Sequence, residues 1–425
     1  MTGTRQLHIG LSLTPTWLKG GNAVPGDPGT GGDPVAFHLD LARAAERAKL
    51  DFVFKPDALL LYPPRAAVPR ALAGLDPTIL LSAIARGTER IGLVTTISTS
   101  FNAPYAAARQ IQSLQWVSDG RAGVNVVTSI EGAENFGEAG MPPPDIRYRK
   151  AAEFTDVLRA LWRSYPEAAL DGAAMCSPID HKGEFFSVRG PLNVPGHAAG
   201  PPALFQAGAS ETGRDFAAAI ADATFAAAPD MEAGVALRTD LRRRAGRHGR
   251  NPDDVRVLPG LHFFLAETRE DAWEMHRRAH AHLTDQQRRA CVMSVLGLDL
   301  GSLAPDARVT PDMLPSRDRP VRSRTHADLL RRFIETHAPS VADLLTRPEV
   351  VGSAHWVCVG TVEDVASDIE RWFQAGAMDG FIALPGGSAN SLRLFLDVLV
   401  PVLAERGLFR RKYQGSTLRD HLGLA

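Results

Sequence analysis

A few polar side chains stand where strands of this chain should end. Asp57 closes the run DFVFKPD, Thr95 and Thr96 lie near the end of IGLVTTIST, Asn125 and Thr128 interrupt GRAGVNVVTS, and Ser210 follows ALFQAGA. A strand buried on both faces has little use for a mid-strand asparagine, so Asn125 needs a polar partner. Singly, each of these residues also reads as a cap or turn residue; together on one rim they would line a binding site. QAGASETG adds a small-residue turn before a helix, whose backbone N–H groups and Ser210 hydroxyl suit a phosphate, although an ordinary N-cap would look the same.

Other constellations point away from chemistry. His276, His280 and His282 in EMHRRAHAHL include a helical i, i+4 pair, but no glutamate lies between them as in His-Glu-x-x-His, and Arg277 and Arg278 would repel a cation. A solvated helix face is the expectation, with no metal. The glycine-rich stretch LKGGNAVPGDPGTGGDP lacks dinucleotide spacing and reads as a rim loop. No Gly-x-Ser-x-Gly elbow is present, and Cys176, Cys291 and Cys358 are too scattered for a zinc ribbon or a disulfide framework.

The elements that would hold this rim together follow a βα period. Short β-rich runs begin at Leu7–Leu13, Asp51–Asp57, Ile91–Thr99, Gly120–Ser129, Ala203–Ser210, Ala223, Val255–Ala266 and Asp379–Pro385, with amphipathic segments between most of them. Asp33-Pro34 and Asp76-Pro77 are helix starts, with a capping carboxylate before a proline at the first helical position. Eight such units predict an α/β fold, a (β/α)8 TIM barrel with its site at the C-terminal ends of the strands. One domain over 1–425 is expected, with insertions near 131–202 and 284–352.

With 47 basic and 48 acidic residues, no global field draws nucleic acid or an anionic membrane, so a small-molecule partner is expected. The start MTGTRQLHIGLSL has no charged leader followed by an apolar core, and no run approaches the roughly 20 apolar residues of a membrane span. A cytoplasmic enzyme is the expectation.

Several segments in order, SDGRAGVNVVTS with ENFG, HKGEFFSVRGPLNVP, QAGASETGRDFAA, VLPGL, GTVEDVASDIERWFQAGAMDGFIALP and VPVLAERGLFRRKYQGSTLRDHLGL, resemble the nitrilotriacetate monooxygenase group of the bacterial luciferase-like superfamily. The resemblance implies a barrel that takes reduced FMN as a diffusible cosubstrate from a separate NAD(P)H-dependent flavin reductase and uses O2 to oxygenate a small organic substrate. It implies FMN contacts at Asp57, Thr96, Tyr148, Ala209 and Ser210, with Asn125 beneath the ring, and a homodimer or homotetramer. The chain departs from the group at Val124, where tryptophan is usual, and at Pro144, where histidine is usual. A deazaflavin F420-dependent oxidoreductase and a flavin-binding barrel without catalysis are the alternatives, and no catalytic residue is indicated.

Overall fold

The structure is a computed structural model and describes residues 5–18, 28–61, 70–208, 210–317, 319, 321, 324–352 and 354–424. Its strands are β1 (His8–Ser12), β2 (Phe52–Phe54), β3 (Gly92–Ser98), β4 (Ala122–Val127), a small antiparallel hairpin β5 (His181–Lys182) and β6 (Ser187–Val188), then β7 (Ala203–Gln206), β8 (Ala223–Ala226), β9 (Arg256–Leu265), β10 (Trp356–Gly360) and β11 (Gly380–Pro385). Parallel pairing runs β1-β2-β3-β4-β7-β8-β9-β11 and returns from β11 to β1, which closes an eight-stranded barrel. These eight are the strands expected from the βα period.

The ninth parallel strand, β10, falls outside that expectation. β9 is longer than its neighbours: Arg256–Pro259 pairs with β8 to close the ring, and Leu261–Leu265 pairs with β10 after β8 has ended. WVCVG therefore extends one side of the barrel beyond its mouth.

Helices α1 (Pro34–Arg47), α2 (Pro77–Ala85), α3 (Pro104–Val117), α4 (Pro144–Ser164), α5 (Glu211–Ile220) and α6 (Met231–Arg247) follow strands in turn. The Asp33 carboxylate accepts from the Val35 N–H at 2.8 Å, and Asp76 accepts from Thr78 and Ile79 at 2.9 Å each, so both sequence caps form as drawn. α4 starts at Pro144 and buries Ala151, Phe154, Leu158 and Leu161 on one face. Between β9 and β10 come α7 (Arg269–Ala279), α8 (Asp285–Leu296), α9 (Arg324–His337), α10 (Val341–Leu345) and α11 (Pro348–Val351), of which α8 to α11 share an apolar cluster that includes Val292, Leu330, Ile334 and Leu344. α12 (Val362–Gln374), α13 (Ala389–Leu394), α14 (Val400–Glu405) and α15 (Leu418–Leu422) complete the set, with a π-helical turn over Phe395–Leu399 joining α13 to α14.

Strand alternation sorts side chains between lumen and outer layer. Phe52, Phe54, Val94, Phe205, Leu258 and Ile382 fill the lumen, where Phe52 meets Phe205 and Phe54 meets Phe225 edge to face, with centroids at 5.0 and 5.4 Å. Leu418 and Leu422 of α15 join this cluster and seal the N-terminal end of the barrel. Gly92 and Gly123 make room for them: a Cβ at either would lie 2.6 or 2.7 Å from a Leu418 methyl. Fully burying each leucine contributes about 1.5–3 kcal/mol.

Candidate active site

The C-terminal mouth has two unlike walls, and the polar one comes from β1, β3 and β4. Val94 faces the lumen, so Thr96 and Ser98 do as well, and on β4 the same alternation turns Gly123 and Asn125 inward. Thr96 Oγ1 donates to the Lys55 carbonyl at 2.9 Å, and the Asn125 amide nitrogen donates to Thr96 Oγ1 at 3.4 Å. Asn125 Oδ1 is buried without a partner, as is Thr14 Oγ1 two residues past β1. An unsatisfied buried acceptor costs about 1–3 kcal/mol, which a ligand N–H would recover. Ser98 and Ser129 share a hydroxyl–hydroxyl bond of 2.7 Å at the rim.

Thr95 and Val124 face the other way. Thr95 Oγ1 bonds Thr78 Oγ1 of α2 at 2.7 Å, and Val124, its register partner on β4, is fully buried among Ile97, Ile111 and Phe154 in the outer layer. The place of the group's usual tryptophan is thus between sheet and helices, so valine there repacks the α3–α4 layer and opens no space in the mouth. Pro144 is the first residue of α4, where its missing N–H costs nothing.

The turn after β7 forms a cradle. Ser210 caps α5, its Oγ accepting from the Gly213 N–H at 3.1 Å, and helix geometry aims the first N–H groups of α5 outward beside that hydroxyl. Tyr148, on the second turn of α4, brings its phenol oxygen to this turn: a Cβ would sit 3.0 Å from it if added at Gly208 and 2.7 Å if added at Gly213. Tyr148 thus crowds both glycines, and at Gly208 a Cβ would also meet Gln206 Nε2 at 2.6 Å. Of the residues expected at the site, Thr96 and Asn125 meet on one wall and Tyr148 and Ser210 at one turn; Ala209 lies outside the described residues. Asp57 stands three residues past β2, exposed, its Oδ1 accepting from the Ala58 N–H at 2.9 Å. Partial desolvation, with Asp76 nearby, raises its carboxyl above the usual range. The rim loop after β1 falls largely at 19–27, also outside the described residues.

The basic run at the start of α4 is held by the neighbouring loops. Arg147 donates to the Ser129 and Pro142 carbonyls at 2.7 and 3.0 Å, Lys150 donates to the Ser100 carbonyl at 2.7 Å, and Arg149 pairs with Glu184 at 3.2 Å. Two of these bonds tie α4 to the loops that follow β3 and β4.

The second wall is apolar and is built by β8, β9, β10 and β11. Leu384, His262 and Val357 are register partners across β11, β9 and β10, a row on one face, and all three are half-buried. Phe225 of β8 flanks the row, with the His355 ring stacked on it at 4.9 Å and 12°. Burial lowers the His355 pKa to about 4, so its imidazole is neutral at physiological pH. His262 Nε2 bonds Thr16 Oγ1 at 2.9 Å, and that hydroxyl donates to the Pro385 carbonyl at 3.1 Å, which clasps β9, β11 and the turn after β1 together.

Sequence reasoning named neither Gly208 nor Gly213, and it missed His262, His355 and Val357. The glycines carried a signal in the QAGASETG turn; the others depend on β10, whose pairing only the fold supplies. His276 and His280 lie beside Phe264 with ring centroids 4.6 Å apart, and burial first, then His280, lowers the His276 pKa to about 4. Among the described residues no group of three or more His, Cys, Asp or Glu is placed to hold a metal ion.

Comparison with known proteins agrees with this geometry. Nitrilotriacetate monooxygenase component A of Aminobacter aminovorans is 35% identical over 100% of this chain and 98% of its own length. Dibenzothiophene-sulfone monooxygenase of Rhodococcus erythropolis is 34% identical over 91% of this chain and 89% of its own. The solved structure of EDTA monooxygenase from Chelativorans sp. BNC1 superposes with a TM-score of 0.81 at 29% identity, covering 99% of both chains. The Luciferase-like monooxygenase family profile matches residues 20–379, and with a closed parallel barrel and full-length relatives of that kind the chain belongs to the luciferase-like monooxygenase family.

Proposed function

We propose that this protein is the oxygenase component of a two-component system, which takes reduced FMN from a separate NAD(P)H-dependent reductase and uses O2 to oxygenate a small organic substrate. The observation that carries the reading is the Tyr148–Gly208–Ser210 cradle at the end of β7, beside β4 and its Asn125, whose buried Oδ1 has no hydrogen-bond partner among the described residues. These groups fit a flavin mononucleotide: a hydroxyl, a phenol and helix N–H groups for a phosphate, and a buried acceptor for the N–H edge of a ring. Bound reduced FMN would supply the two electrons that let one oxygen atom of O2 enter substrate and the other leave as water.

In this reading the Ser210 and Tyr148 hydroxyls and the α5 N–H groups hold the phosphate, with Ala209 proposed as a further contact. Thr96 orients the Asn125 amide, whose Oδ1 accepts a hydrogen bond from the ring, and Asp57 contacts the cofactor from the β2 end. The apolar wall excludes water while substrate is held close to the ring. No side chain is assigned as acid or base. One barrel domain with two excursions, working in the cytoplasm as a homodimer or homotetramer, belongs to the same proposal. No helix among the described residues is long and apolar enough to cross a membrane, and exposed Ile79 and Trp116 on α2 and α3 offer apolar surface for self-association.

The test supplies the purified protein with FMN, NADH, a flavin reductase and isotopically labelled O2 over a substrate panel. Labelled product that diminishes with Ser210→Ala and disappears without O2 is expected. Binding of F420 with no binding of reduced FMN would replace this reading with hydride transfer, and FMN binding without product across the panel would replace it with a barrel lacking catalysis.

A further inference from the structure

We infer that the substrate is an uncharged, largely apolar molecule held on the Leu384–His262–Val357 row in preference to a polycarboxylate. This rests on the monooxygenase reading of the site and adds a substrate class to it. The relatives named above act on both kinds of compound, so family membership leaves the choice open.

Two independent features decide it. The first is the wall: three register partners on three adjacent strands present a leucine, an imidazole and a valine to the mouth, with the Phe225 ring beside them. All four are half-buried, which leaves apolar surface for a ligand to cover. The second is the fate of the cations. A polycarboxylate taken out of water needs guanidinium or ammonium groups with donors to spare. Of the three at the start of α4, Arg149 is paired with Glu184, while Arg147 and Lys150 are anchored by backbone carbonyls, which fixes their position and leaves their charge. Lys55, the basic residue that follows β2, lies on the outward side of the strand alternation, where it acts on His38 of α1. Asp57 adds an anion to the same rim, which repels a second one. Among the described residues the row thus offers a neutral ring or chain a continuous apolar surface that a polyanion could not use.

The experiment measures equilibrium binding of two probes, dibenzothiophene sulfone and nitrilotriacetate, to the full chain with and without FMN. The sulfone is expected to bind at least roughly tenfold more tightly than the triacid. Leu384→Asn and Val357→Asn, which put an amide on the row, are each expected to weaken the sulfone roughly tenfold, the loss of one well-buried aliphatic contact. Two variants on different strands guard against a single misfolded protein. Equal or tighter binding of nitrilotriacetate, binding of neither probe, or an unchanged sulfone affinity in both variants would overturn the inference. FMN binding is read separately: a protein that prefers the sulfone but takes no FMN refutes the cofactor reading and leaves this one standing.

Discussion

Gly213→Ala is the most incisive perturbation of the cradle, because helix propensity and site geometry pull it in opposite directions. Gly213 lies within α5, where replacing glycine by alanine gains about 1 kcal/mol of helix stability. The new Cβ would fall 2.7 Å from the Tyr148 oxygen, and ordinary contact begins at 3.4 Å, so the phenol must retreat by about 0.7 Å. The Gly208 backbone, at 3.1 Å, adds a smaller strain. A retreat of that size takes Tyr148 out of hydrogen-bonding distance of a bound phosphate. A hydrogen bond to a charged group contributes about 1.5–3 kcal/mol, so FMN affinity should fall about ten- to a hundredfold while thermal stability holds or rises. Equilibrium FMN binding and a thermal melt on the same preparation measure both. The control is Tyr148→Phe, alone and combined with Gly213→Ala. Since the phenylalanine has no oxygen to displace, the double variant should bind FMN within about 0.5 kcal/mol of Tyr148→Phe. Losses that add, or a Gly213→Ala protein that binds FMN normally, would refute the role given to Tyr148.

Other expectations follow from the framework beneath the mouth. Arg121 is buried and donates to the Ser118, Ile91, Ala85 and Thr88 carbonyls and to Thr88 Oγ1, so Arg121→Lys, which cannot span that fork, should lower stability by about 3 kcal/mol in denaturant titration. Leu418→Ala should cost about 2–5 kcal/mol, and the small cavity it leaves should make Gly123→Ala less harmful in its background than alone. Burial alone would raise the Asp51 carboxyl, but Arg410, His8 and the Ile9 N–H reverse this and hold it below the usual range. A depressed folded pKa means that its contribution is present above the ordinary carboxylate pKa of about 3.9 and is lost as pH falls through the folded value. Asp51→Asn should therefore destabilise the protein at pH 7, by about 3–5 kcal/mol, with a difference that shrinks on acidification.

Much of the barrel was legible because a βα period states itself: eight apolar runs, proline-opened helices and capping aspartates each carry a local signal. β10 was not, since WVCVG is five residues long and follows a stretch rich in arginine, proline and histidine, and its strand character comes from pairing with β9. α4 lies within the stretch 131–202 that the sequence assigns to an insertion, and Pro142, Pro143 and Pro144 give no clear helix start although the third of them is a favourable first helical residue. Asn125 announced itself by being polar in an apolar run. The outward face of Val124 could not be read, because a parallel strand covered on both sides has no polar alternation to distinguish lumen from helix layer. The substrate wall was illegible for the same reason that it exists: Leu384, His262 and Val357 are far apart in the chain and become neighbours only by register.

The divided pairing of β9 has a mechanical consequence. Arg256–Pro259 pairs with β8 and Gly260–Phe263 with β11, which closes the ring, whereas the pairing of Leu261–Leu265 with β10 lies outside that closure. The long excursion leaves the sheet at the end of β9 and re-enters it at β10, so insertions, deletions or a changed tilt there reposition Val357 while the closing pairs keep their register. A barrel with eight equal strands would have no such edge, on which a side chain at the mouth can be moved independently of closure.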